Sequence, residues 1–150
     1  MKKTFYLYTD GASRSNPGEA GIGFVLYNNE KKIINEGGFF IGYGTNNYAE
    51  YIAVIVGLIL SKEYIQNNNI ILHADSLLVV NQLNKEWKIK DQKLLIYFNI
   101  IETLRKSINL TAIHIPREKN QYADRLANKG IDEKEILPPH VMDVIAQTPL

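Results

Sequence analysis

Cysteine is missing from all 150 residues. Its absence removes disulfides, thiolate metal sites and a thiol nucleophile together, and it fits a reducing compartment. An excess of one charge is missing too: 17 Lys and Arg stand against 16 Asp and Glu, a net charge of +1. A protein that held nucleic acid by bulk electrostatics would be more basic, so any such partner must be held at a local site. A long apolar run is absent from the start of the chain as well. The run from Phe5 to Thr9 stops at Asp10, too short for a signal-peptide core or a membrane span. The expectation is a cytoplasmic protein that makes no use of a membrane. No internal repeat and no linker interrupts the chain. What is present is ordinary for one soluble domain: 45% hydrophobic and 22% charged residues, which excludes disorder.

The pattern along the chain predicts β-β-β-α-β-α-α-β-α. Residues 4–9, 21–27 and 32–41 read as strands, with a hairpin turn at 28–31 and a bulge at Gly37-Gly38. Thr45 is placed to N-cap a helix. Ala49, Ile52, Ala53, Val56, Leu60 and Tyr64 recur there at helical spacing up to the tract Asn67-Asn68-Asn69. Residues 70–73 form a strand, 76–83 and 91–106 helices, and 110–115 the last strand. A short helix over 121–129 follows, stopped by Gly130. Three meandering strands followed by strands joined through helices predict one mixed α/β sheet with helices on its faces. The domain is read as residues 1–130. Residues 131–150, with Pro138-Pro139 and Pro149, read as an appendage carrying one short helix over 140–147.

Four acids sit at telling places. Asp10 and Asp75 each follow an apolar strand, and ligands of open α/β sheets gather at strand ends. Glu50 lies in the first turns of a helix, and Asp124 lies in the helix after the last strand. Any one of them alone reads best as a solvated group or a cap. Together they would repel one another unless cations neutralised them. Oxygen-only ligands suit hard ions such as magnesium, with manganese as the alternative. Two such ions about 3.5–4 Å apart serve phosphodiester hydrolysis. No histidine pair with zinc spacing competes.

A known pattern links the four. Tyr8-Thr9-Asp10-Gly11-Ala12 with Asn16-Pro17-Gly18 resembles the first motif of the ribonuclease H type 1 family. Thr45-Asn46-Asn47-Tyr48-Ala49-Glu50 resembles the second, Ala74-Asp75-Ser76 the third, and Asn120-Gln121-Tyr122-Ala123-Asp124-Arg125-Leu126-Ala127 the fourth. They occur in family order over about residues 4–130. The resemblance implies a ribonuclease H-like fold, a five-stranded mixed sheet with its second strand antiparallel to its neighbours and helices on its flanks. It implies an endoribonuclease that cuts the RNA strand of RNA–DNA hybrids with two metal ions and leaves 5′-phosphate and 3′-hydroxyl ends. Asp10, Glu50, Asp75 and Asp124 would be the catalytic metal ligands, and the enzyme would act as a monomer. It also implies that Gly11, Asn16 and Asn47 contact the sugar-phosphate backbones. Read from the residues, Asn16 and Asn47 are equally turn and helix-start residues, and Thr45 either touches a DNA phosphate or only caps its helix.

The chain departs from the pattern in two places. His114 aligns with a loop histidine that assists the family's reaction, yet it falls inside the last strand, where a histidine can simply pack or face solvent. Ile115-Pro116-Arg117-Glu118 resembles a subgroup with a V-P-R-E loop that lacks that histidine. Arg117 then becomes the auxiliary group near the scissile phosphate, or a surface salt-bridge residue. The family's basic handle is also missing: between Leu83 and Leu94 stand Lys85, Trp87, Lys88, Lys90 and Lys93, without a long insertion. Two other readings remain beside the hybrid nuclease, a non-catalytic hybrid- or double-strand-binding module and another nuclease on the same fold.

Overall fold

The computed structural model describes residues 2–146. Alternation builds β1 (Thr4–Ser13): Phe5, Leu7 and Thr9 are buried on one face, and Tyr6, Tyr8 and Asp10 take the other. β2 (Gly18–Tyr27) pairs antiparallel with both β1 and β3 (Ile33–Gly44). β4 (Asn69–Ala74) joins β1 in parallel, and β5 (Asn109–His114) joins β4 in parallel. The sheet order is β3-β2-β1-β4-β5. This is the five-stranded mixed sheet that the motifs imply.

One face carries α1 (Asn46–Leu60), in which every residue from Tyr51 to Leu58 is buried. A helix apolar on all sides belongs inside a core. α1 lies over β1 and β2 and packs against α3 (Leu77–Leu83) and α4 (Gln92–Leu104). Leu7, Phe24, Ile70, Leu72 and Leu110 meet these helices in one apolar cluster. The opposite face carries α5 (Gln121–Glu133), which lies over β2, β3 and β1. Its seat is a floor without side chains. Gly23 and Gly38 are cross-strand partners, and a Cβ on either would run into the α5 backbone at Ala123 or Leu126.

Some boundaries differ from the sequence expectations, each for a local reason. The β3 irregularities lie opposite Ala20/Gly21 and Leu26/Tyr27 rather than at Gly37-Gly38; the glycine pair serves helix packing instead. The first long helix breaks at buried Ser61, and the separate turn α2 (Lys62–Ile65) follows. There the Leu60 carbonyl accepts from the Asn35 amide at 2.9 Å. α4 ends at Leu104 in a short 3-10 turn, where the Arg105 guanidinium donates to the carbonyls of Leu83 and Leu110. Gly130 does not stop α5. It sits inside the helix because its backbone presses on Phe39, and the stop is Lys134 in the left-handed conformation (φ 51°).

The stretch beyond residue 130 packs on the domain. Phe40 N–H donates to the Glu135 carbonyl at 2.8 Å, and Ile136 bridges Phe40 in parallel. Leu137 and Val141 are buried in the core, Val141 from the short helix α6 (Pro139–Ala146). Gln147, the last position of the expected helix, lies outside the described residues.

Candidate active site

The parallel register of β1 and β4 pairs Thr9 with Ala74, so Asp10, which lies inside β1 rather than after it, stands beside Asp75, the first residue past β4. Glu50 arrives from the start of α1, where the Thr45 hydroxyl caps the helix by accepting from Tyr48 N–H at 3.1 Å. Glu50 Oε1 accepts from Gly11 N–H at 2.8 Å. Gly11 is needed here because a Cβ would collide with the α1 backbone at Ala49. The close approach that this glycine permits is therefore to the helix. Oxygens of Asp10, Glu50 and Asp75 all lie within 4.8 Å of one another. Asp124, in the first turn of α5, flanks Asp10 as a hydrogen-bonding neighbour and stands outside that tight trio. Asn128, one turn later, donates from Nδ2 to Asp124 Oδ1 at 3.3 Å.

Crowding sets the charge state. Burial pushes the Asp10 carboxyl up to about 10, with Glu50, Asp75 and Asp124 adding to the rise. Burial also pushes Glu50 up to about 8, Asp75 adds to this, and the Gly11 N–H opposes it. Three acids held this close cannot all ionise without a cation. An oxygen-only cluster in which Asp10 and Glu50 are driven to hold protons fits a hard divalent ion. Asp10, Glu50 and Asp75 would hold it, with Asp124 beside them.

Sequence reasoning assigned no role to Asn120, although it opens the fourth motif. It is buried (2% exposed), and its Nδ2 donates to the Thr9 carbonyl at 2.8 Å and to Asp75 Oδ2 at 3.2 Å. It thus ties the root of α5 to both strands that deliver the acids. The i, i+4 step from Asp124 to Asn128 was the readable signal for the second missed partner. Of the expected substrate contacts, Asn16 and Asn47 are exposed near the α1 N-terminus, and Asn16 Oδ1 accepts from Asn46 N–H at 3.0 Å. His114 ends β5 with Nε2 3.3 Å from the Asp75 carbonyl oxygen. Arg117 is exposed and lines a surface cleft together with Asp124 and Arg125. Trp87 stands exposed in the segment between α3 and α4.

The comparisons agree with this geometry. A family profile described as "Reverse transcriptase-like" matches residues 8–130. A Ribonuclease H of Coxiella burnetii is 32% identical over 144 residues, covering 85% of this chain and 90% of that protein. The chain belongs to the ribonuclease H type 1 family. A Ribonuclease HI of Halobacterium salinarum is 40% identical over 129 residues and 85% of this chain, which spans 64% of that protein's length. Among solved ribonucleases H, LC11-RNase H1 in complex with an RNA/DNA hybrid superposes with a TM-score of 0.82. It is 37% identical and covers 86% of this chain and 97% of its own. The ribonuclease H fold is thus shared with relatives that carry that name.

Proposed function

We propose that this chain is an endoribonuclease that hydrolyses the RNA strand of RNA–DNA hybrids, acts as a monomer, and leaves 5′-phosphate and 3′-hydroxyl ends. The observation that carries the reading is the carboxylate trio closed within 4.8 Å, from β1, the start of α1 and the end of β4, with Asp124 at its flank. A module that only bound nucleic acid would gain nothing from acids aimed at phosphates. The hybrid in the LC11 complex supports the choice of substrate.

Asp10, Glu50, Asp75 and Asp124 are assigned as ligands. When bound, a pair of magnesium ions supplies the charge that activates the attacking water and steadies the departing 3′ oxygen. The protein's own part is positioning. Gly11 N–H holds Glu50, Asn120 holds Asp75, and Asn128 holds Asp124, so the carboxylates are oriented before substrate arrives. Arg117 is assigned to a phosphate of the RNA strand next to Asp124. A guanidinium matches phosphate oxygens but donates no proton at neutral pH. His114, on the outer side of Asp75, is assigned a minor assisting role. Asn16, Asn47 and Thr45 cluster at the α1 N-terminus, and with Gly11 they are assigned to the backbones of the hybrid.

The deciding experiment incubates labelled RNA–DNA hybrid, double-stranded RNA and double-stranded DNA with the protein, with and without magnesium. Cleavage confined to the RNA of the hybrid, needing magnesium and leaving a 3′-hydroxyl, is expected. Binding without cleavage would favour the module, and cut DNA would favour a different nuclease on this fold.

A further inference from the structure

The face of the sheet that carries α5 is only partly covered. α5 begins at Gln121 and seats on the glycine floor, so the earlier parts of β1 and β4 on that face carry no helix. Four rings pave this uncovered area: Tyr6 and Tyr8 from β1, Tyr27 from β2 and His73 from β4. The register lines them up, with Tyr8 opposite His73 and Tyr6 opposite Tyr27. Tyr8 stacks on His73 with centroids 4.3 Å apart and planes 6° from parallel, and Tyr27 meets Tyr8 edge-on at 5.5 Å. The groove above them encloses about 520 Å³, within the range of about 300–1,000 Å³ typical of ligand pockets.

Two further features select the ligand. Exposed Lys31 and Lys119 stand on the lining, which contains no acid. In a chain of net charge +1 this is a local cationic cleft. The groove also continues the acid site. Two residues further along the same strands stand Asp10 and Asp75, about 7 Å away by strand geometry. Asn120 lines the groove while it donates to Asp75. Flat rings with cations beside them match nucleobases and their phosphates. A duplex keeps its base faces within its own stack, so only an unpaired strand can use such a floor.

We infer that this groove binds an unpaired nucleic-acid strand continuing from a hybrid held at the acid cluster, with bases against Tyr27 and phosphates at Lys31 and Lys119. The inference rests on the hybrid-nuclease reading for the source of that strand. The test uses the whole protein and a labelled oligothymidylate followed by fluorescence anisotropy in EDTA. The double variant Tyr27→Thr/Lys31→Asn should bind about tenfold more weakly. In the single variant Lys31→Asn, placed in an exposed turn at φ 63° that asparagine tolerates, binding should depend less steeply on salt. With magnesium, the wild type should favour hybrid bearing a thymidine overhang over blunt hybrid. The double variant should lose that preference and still cut blunt hybrid at the wild-type rate. Unchanged oligothymidylate binding in a folded double variant, or an unchanged salt slope in Lys31→Asn, overturns the inference. Failure of the wild type to cut blunt hybrid would instead sink the nuclease reading, and the anisotropy in EDTA would still decide the groove.

Discussion

Asp10 carries two opposed duties: it is the most central acid of the site and a burden on the metal-free fold. The residue is 5% exposed, and burial, with the surrounding acids adding to it, pushes its carboxyl up to about 10. A carboxyl raised in the folded state costs nothing below its unfolded value of about 4, where both states hold the proton. As pH rises past that value the unfolded chain ionises first, and stability falls until the folded-state value is passed. For Glu50 that window runs up to about 8. Asp10→Asn should therefore raise the stability of the metal-free protein at pH 8 by at least about 1 kcal/mol, or about 2–4 °C in Tm. It should also flatten the fall in stability above pH 4. Thermal melts in EDTA across pH measure this, and an unchanged or lower Tm at pH 8 would show that the acids do not crowd one another. The same variant should cut hybrid at least about a hundredfold more slowly, since it loses a charged ligand at the reacting phosphate. The four acids could be singled out in the sequence because each lies within a motif of fixed residue types. Asn120 could not, because its role depends on two strands that meet it only after folding, across 111 and 45 residues.

At the scale of elements, the acid site depends on how closely α5 approaches the sheet. Gly23 and Gly38 leave the strand surface bare beneath Ala123 and Leu126, the residues on either side of Asp124 and Arg125. Gly38→Ala should push the helix outward and destabilise the fold by about 1–3 kcal/mol, the usual cost of an overpacked contact. Because Asp124 rides on that turn, the variant should also need more magnesium for half-maximal cleavage. Urea melts and a magnesium titration of the rate test the two halves. A destabilised protein with an unchanged magnesium requirement would mean that the helix seat and the acid are independent. The sequence displayed these glycines but not their use, and Gly37-Gly38 read as a bulge because a local pattern cannot show a helix arriving from ninety residues downstream. The strands and α1 were readable because alternation and helical spacing are local properties. The ends of α1, α4 and α5 were not, because Asn35 and Arg105 act at the first two from outside their helices, and α5 runs through Gly130, seated against Phe39, to stop at left-handed Lys134.

For the whole molecule, the motif order carried the architecture. Four stretches in family order permit few arrangements that bring their acids to one place, and the sheet order β3-β2-β1-β4-β5 is one that does. The residues after 130 gave little in advance, since Leu137 and Val141 find partners only in the assembled core. Their docking has a further effect. β3 is an outer strand, and its rim is partly occupied where Phe40 meets Glu135 and Ile136. A strand rim left bare recruits the rims of other molecules and seeds polymerisation. A chain ending at Lys129 would lose this doorstop along with three buried side chains, Ile131, Leu137 and Val141. It should become cloudy in concentrated solution, and light scattering should show growing assemblies where the full chain stays monodisperse. Clear, monomeric behaviour of the shortened chain would mean that β3 protects itself. On this view residues 131–146 are a keeper of solitude, letting a molecule with a long outer strand remain a single particle.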